Sequence, residues 1–183
     1  MEQKRRILLH VCCAPCATSP VERLRSMGYD VVLFFSNSNI FPETEYAVRL
    51  ESARRLATIL NLELVEDTYD HAAWRSHVKG LEDEPERGRR CMKCFAFNLS
   101  RTAEKARELG IEEFTTTLTV SRHKPSGEIF HVGEVFRGFV PIDFKKKDGF
   151  SRSIELSRSY ALYRQNYCGC EFSMPREKMP SPG

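Results

Sequence analysis

The chain has 183 residues, of which 41% are apolar and 29% charged, with a net charge of +3 and seven cysteines. That length suits one α/β metal-binding domain over residues 1–183, with a core of sheet and helices in 1–150 and a C-terminal helix and Cys-rich segment in 151–183. No apolar run reaches the roughly 18 to 20 residues of a membrane helix, which argues against a membrane protein, and so small a net charge decides nothing about nucleic acid.

The first residues imitate a secretion signal, with Lys4, Arg5 and Arg6 ahead of an apolar run. His10 cuts that run well short of the ~7 to 15 apolar residues a signal needs. The segment "RRILLHV" reads instead as a buried first strand of a cytoplasmic protein. Cys12, Cys13 and Cys16 follow it, and "TSP" predicts a helix with Ser19 as N-cap and Pro20 at its first position, ending near Met27 and Gly28. Tyr29 to Phe35 is β-branched and aromatic enough for a second strand, and "SNSN" after it has turn chemistry.

From Thr44 to Leu60, the residues Ala47, Leu50, Ala53, Ala57 and Leu60 recur at helical spacing. Leu62 to Glu66 predicts a third strand, His71 to Lys79 a short helix, and 80–90 an exposed loop. A further helix opens near Cys91, with Phe95, Leu99, Ala103 and Ala106 on one face, and stops at Gly110. Glu113 to Thr119 predicts a fourth strand, Ser126 to Arg137 a helix, and Gly138 to Phe144 a fifth strand or extended segment. The final "KMPSPG" reads as a frayed tail.

Strands alternating with helices predict a parallel sheet covered on both faces. The first three cysteines then lie at the carboxyl end of the first strand, where ligands of open α/β sheets bind. A nucleotide phosphate at that place needs a glycine-rich loop, and "HVCCAPCATS" contains no glycine. Metal or redox chemistry takes the place of phosphate binding.

Cys13 and Cys16 form a C-x-x-C pair, Cys91 and Cys94 a second, and Cys168 and Cys170 a C-x-C. The second pair opens a helix, whose N-terminal dipole favors thiolates. Zinc ribbons place their pairs ~15 to 20 residues apart, far closer than Cys16 and Cys91, which leaves zinc the lesser option. One cluster or one structural zinc takes about four thiolates. The other three suit a second metal or a thiol redox pair, although for Cys12 alone packing weighs nearly as much as ligation.

Asp143 sits near the same sheet edge, where metal ligation or proton transfer competes evenly with capping and pairing to Lys145, Lys146 and Lys147. His10 reads as a satisfied core histidine, and the other four histidines lack metal-ligand spacing. Tyr163 and Tyr167 read as wall residues. Basic residues group as Arg87, Arg89, Arg90 and Lys93, as Arg122 to Lys124, and as Lys145 to Lys147. Solvated faces are the ordinary reading of such runs, and a polyanionic partner is the functional one.

Three stretches, "LLHVCCAPC", "GRRCMKCF" and "LYRQNYCGCEFS", reinforced by "FTTTLTVS" and "DFKKKDGFSRSIELS", together resemble the cobalamin-independent epoxyqueuosine reductases. One stretch departs from that family's aromatic-Asn-Pro-Asn run: Asn37 and Asn39 match, whereas Ser36 and Ser38 do not. The resemblance implies a fold like the adenine-nucleotide hydrolase and pyrophosphatase-loop group, used without ATP or cobalamin. It also implies a four-iron, four-sulfur cluster, a tRNA carrying epoxyqueuosine and an external electron donor.

Reducing the epoxide to the alkene of queuosine takes two electrons and two protons and releases water. On this reading Cys13, Cys91, Cys94 and Cys170 hold the cluster. Cys12, Cys16 and Cys168, with Asp143, would hold a second, mononuclear iron, and Cys12, Cys16 and Asp143 would act on the epoxide. Arg87, Arg89, Arg90, Lys93 and Lys145 to Lys147 would neutralize anticodon phosphates. The rivals are a cluster-dependent tRNA sulfur transferase of the same fold, a zinc-stabilized RNA-binding module and a thiol oxidoreductase.

Overall fold

Four short strands, β1 (Arg6–His10), β2 (Asp30–Phe35), β3 (Leu64–Glu66) and β4 (Glu113–Thr116), form one parallel sheet in the order β3-β2-β1-β4 in the computed structural model, which describes residues 5–175. The tail "KMPSPG" lies outside the described residues. Among them, no helix is long and apolar enough to cross a membrane.

The strands are nearly continuous apolar runs because both faces are covered. Ile7, Leu9, Val31, Leu33 and Phe35 pack with residues of α1 (Ala14–Ser26) and α2 (Glu43–Leu60). On the other face Leu8, Val32, Phe34 and Phe114 meet Leu99 and Ala106 of α4 (Arg89–Glu108). The chain runs from β1 out to β2 and β3, then returns to β4 on β1's free side. The loops after β1 and β4 therefore diverge and leave a crevice at the carboxyl edge. His10 staples that edge, with Nδ1 2.9 Å from the Thr116 hydroxyl and Nε2 3.0 Å from the Ser36 carbonyl. A carbonyl only accepts, so Nε2 carries the proton. Burial lowers the ring's pKa, and His10 is the satisfied core histidine expected.

Helix α1 starts earlier than "TSP" predicts. Cys13 is the N-cap, in extended backbone, and its Sγ accepts the Cys16 amide at 3.4 Å, the role expected of Ser19. Ser19 and Pro20 lie inside the helix, where the Ser19 hydroxyl donates to the Gly149 carbonyl at 2.8 Å and meets the Ser153 hydroxyl at 2.7 Å. That contact docks α6 (Gly149–Ser159) onto α1. In α2 the buried face runs through Tyr46, Arg49, Leu50, Ala53 and Leu56, and Ala47 is exposed rather than buried. Beyond α5 (Ser126–Gly133), the expected fifth strand is an extended segment joined to β4 by one bridge at Phe139. Pro141, which has no amide hydrogen, stands just past that bridge.

Two features place the cysteines. The loop Ser36 to Ile40 is buried, and its polar groups are spent on several separate parts of the chain, among them the segments that carry the cysteines. Asn37 donates to the Val11 carbonyl at 2.8 Å, Asn98 of α4 donates to Asn39 at 3.3 Å, and the Phe41 amide donates to the Gly169 carbonyl at 2.8 Å. Gly169 separates Cys168 from Cys170 at φ +145°, with Ile40, Asn39 and Arg49 so near that a Cβ would crowd all three.

The second feature is Arg49, 1% exposed, which clamps the same segment. It donates to the Cys168 carbonyl at 2.9 Å and the Tyr167 carbonyl at 3.2 Å, while Nε pairs with Glu45 at 2.8 Å. Arg49→Met removes the ion pair from Glu45, which keeps the Tyr163 hydroxyl, and the hydrogen bonds to the Cys168 and Tyr167 carbonyls, so it is expected to cost about 3 kcal/mol. A urea melt should show that loss, and Cys168 of the metal-free variant should react faster with a thiol reagent. A wild-type midpoint and reaction rate would show that the clamp is dispensable.

Candidate metal centre

The loop after β1 delivers three sulfurs together. Cys12 is pinned to the end of β4: its amide donates to the Thr117 hydroxyl at 3.0 Å, and that hydroxyl donates to Cys12 Sγ at 3.1 Å. Cys13 and Cys16 sit at the cap and first turn of α1. The three Sγ atoms lie within 4.8 Å of one another. With metal–sulfur bonds of about 2.3 Å, two thiolates on one ion stand at most about 4.6 Å apart, so the trio is close to the spacing of a single ion.

Cys91 and Cys94 occupy the first turns of α4, and the Arg87 amide donates to Cys91 Sγ at 3.2 Å. The Arg49 clamp brings in Cys168, which is exposed, and Cys170, which is half-buried. All seven cysteines line one cavity of about 470 Å³, and none is in a disulfide. Two helix amino termini, those of α1 and α4, carry cysteines into it, so two positive dipole ends meet the sulfurs.

Electrostatics in the cavity follow from crowding. Hydrogen bonds from the Cys13 and Cys16 thiols hold Cys12 well below the usual thiol range. Donating to Cys12 pushes Cys13 up to about 12 and raises Cys16 as well. Burial raises Cys91, Cys94 and Cys170, with Cys168 adding to each. Lys124 also lines the cavity; burial works against its ammonium, but Cys168, Cys12, Cys16 and Cys13 outweigh it and hold its pKa up.

The donor set fits a sulfur-bound metal. Besides the thiols, three cavity-lining side chains keep a buried polar atom without a hydrogen-bond partner among the described residues, Trp74 Nε1, Arg90 Nε and Gln165 Oε1. Asn98 Oδ1, one helical turn beyond Cys94, is in the same condition. Polar groups left unpaired beside seven thiols match a site built around a further occupant.

Of the other expected site residues, Arg87 and Arg90 line the cavity and the rest do not. Asp143 does not line the cavity. Its carboxylate accepts the Lys145 amide at 3.2 Å and pairs with the Lys145 ammonium at 3.4 Å, the capping and pairing weighed against ligation in the sequence. Lys145 also bonds the Ser126 hydroxyl. Arg90 is buried, not part of an exposed loop: it donates to the Leu81 carbonyl at 3.2 Å, to those of Glu82 and Glu84, and lies over the Phe172 ring. Arg87, Arg89, Lys93, Lys146 and Lys147 are exposed, with Arg89 paired to Glu84. Cys13 stands with Cys12 and Cys16 rather than with the α4 pair. Sequence reading does not point to Trp74, Asn39 or Gln165 as cavity residues, and it takes Lys124 only as part of a charge run; none of the four carries a local signal of that placement.

A family model described as epoxyqueuosine reductase QueH matches residues 7–176. A protein named epoxyqueuosine reductase QueH from Streptococcus pyogenes serotype M1 is 41% identical over 178 residues, covering 91% of this chain and 69% of the relative. Another of that name from Histophilus somni is 38% identical over 175 residues, covering 92% of this chain and 72% of the relative. Among solved structures, the U34-tRNA thiolase NcsA from Methanococcus maripaludis, with its [4Fe-4S] cluster, superposes at a TM-score of 0.59 and 9% identity over 93% of this chain and 61% of that one. That likeness bears out the expected pyrophosphatase-loop type of fold. By sequence, the chain belongs to the epoxyqueuosine reductase QueH family.

Proposed function

We propose that the chain reduces epoxyqueuosine to queuosine in the anticodon of tRNA, taking two electrons from an external donor in the cytoplasm and two protons and releasing the epoxide oxygen as water. Family membership supports the reaction, and the convergence of seven thiols in one cavity is the observation that carries the chemistry. When bound, an iron–sulfur group supplies one-electron relay, and a second iron with an open position supplies Lewis acidity toward an oxygen.

The cysteines divide by spacing. Cys12, Cys13 and Cys16 are close enough together to hold one ion, with its remaining positions free. Cys91, Cys94, Cys168 and Cys170 supply the four thiolates of a cluster. This moves Cys13 out of the cluster set and leaves Asp143 without a ligand role. The Arg49 clamp and the buried loop tie the segments that carry the two groups to one another.

The substrate reaches the cavity from its basic rim. Arg87 and His123 line it, their side chains 3.3 Å apart, and Arg89 and Lys93 lie exposed beside the α4 amino terminus. Such residues meet anticodon phosphates while the modified base turns out of its loop into the cavity, whose volume suits a small organic group. Lys124 fixes a positive charge inside, where an oxygen develops negative charge as its bond to carbon breaks.

Anaerobically purified protein should hold more than four irons and about four sulfides per chain. The triple variant Cys12→Ala, Cys13→Ala, Cys16→Ala should keep the sulfide and lose the additional iron. Loss of sulfide in that variant overturns the division, and zinc without sulfide in the wild type overturns the reductase chemistry.

Arg87→Ala combined with Lys93→Ala should weaken tRNA binding and flatten the slope of log affinity against log salt by about 2, with iron content unchanged. A slope equal to wild type would place the tRNA on another face.

A further inference from the structure

Trp74 is the chain's single tryptophan and is 0% exposed, yet it lines the sulfur cavity. It stands on α3 (His71–His77), with its ring stacked on His71 at 5.4 Å between centroids and tilted against Phe172 at 6.3 Å. Those contacts fix the ring plane. No acceptor among the described residues meets its Nε1–H at hydrogen-bond geometry. His71 is not available to it, because Nδ1 is engaged by the Ser38 carbonyl and Nε2 by Glu171.

A buried N–H left unpaired costs about 1 to 3 kcal/mol. A serviceable acceptor is near: Cys94 lines the same cavity on α4, against which α3 packs, and the Trp74 indole acts to lower that thiol's pKa while burial and Cys168 raise it. A thiol is a poor acceptor, whereas a metal-bound thiolate is a good one. The indole N–H is therefore placed for a sulfur that carries negative charge.

Resting on the metal-centre reading above, we propose that Trp74 sets the reduction potential of the site by donating its indole N–H to Cys94 Sγ in the metal-loaded protein. Hydrogen bonds to the sulfurs of an iron–sulfur group offset the charge gained on reduction, and so raise its potential. Trp74 does not touch substrate in this role; it acts through Cys94. The gain is a site that a donor of moderate potential can fill with electrons.

Because the chain has one tryptophan, growth of a tryptophan auxotroph on benzothienylalanine replaces Trp74 alone with a ring of the same shape whose N–H is exchanged for sulfur. That protein, Trp74→Phe and the wild type would be compared anaerobically by iron and sulfide content and by a redox titration followed in the visible spectrum.

Equal metal content with a more negative midpoint in the thienyl protein is expected. One hydrogen bond to a charged acceptor corresponds to about a tenfold fall in the reduced-to-oxidized ratio at the wild-type midpoint, ~59 mV for one electron. Equal loading with an unmoved midpoint overturns the proposal, whatever the melting temperature does. If Trp74→Phe fails to fold or load, the shape-preserving analogue decides alone. Wild-type protein without iron and sulfide would instead overturn the metal-centre reading, and this proposal with it.

Discussion

The architecture depends on satisfying the backbone and amides of the buried loop that follows β2. A loop inside a protein must find partners for every N–H and carbonyl it carries, and here those partners are spread over the whole chain. Asn37 reaches the residue before Cys12, Asn39 bonds a residue one turn beyond Cys94, and Phe41 bonds the glycine between Cys168 and Cys170. Sulfurs remote in sequence are therefore registered against one another by a segment that contains none. Arg49 and His10 extend the same principle, the first to the C-terminal loop and the second across three neighboring strand ends.

Seven thiols in one buried space carry an electrostatic consequence. Each thiolate discourages ionization of the next, and burial discourages all of them, so most are protonated without a metal. Two helix amino termini and Lys124 lower that barrier without removing it. Filling the site must expel protons, and affinity for metal therefore rises with pH over the range in which those thiols titrate.

The sheet was legible in the chain because strands buried on both faces must be apolar runs, and those runs have few competing readings. The start of α1 was not. Capping by Cys13 uses sulfur where a serine hydroxyl is the ordinary acceptor, and Ser19, five residues after the true first position, offered the more familiar pattern. The face of α2 was misjudged at Ala47 because Arg49 fills a core position, a placement that only tertiary partners make tolerable. Cysteine spacing points to a metal-binding chemistry but does not by itself group the sulfurs. The nearness of Cys12, Cys13 and Cys16 comes from a strand end meeting a helix cap, while the placement of Cys168 depends on contacts between residues more than a hundred positions apart. Basic runs do not show which of their members are held inside the protein: Arg90 bonds carbonyls of the preceding loop, and Lys145 pairs with Asp143.

The closeness of the three sulfurs after β1 also gives the newly made chain a competing fate. With Cys12 held toward its thiolate form beside two partners, an oxidant that reaches the empty site finds a nucleophile and two neighboring thiols ready to resolve the oxidized sulfur as a disulfide. Sulfurs joined in that way offer an incoming ion no thiolate. On the proposed metal-centre reading, maturation is a race for the same atoms between metal delivery and oxygen.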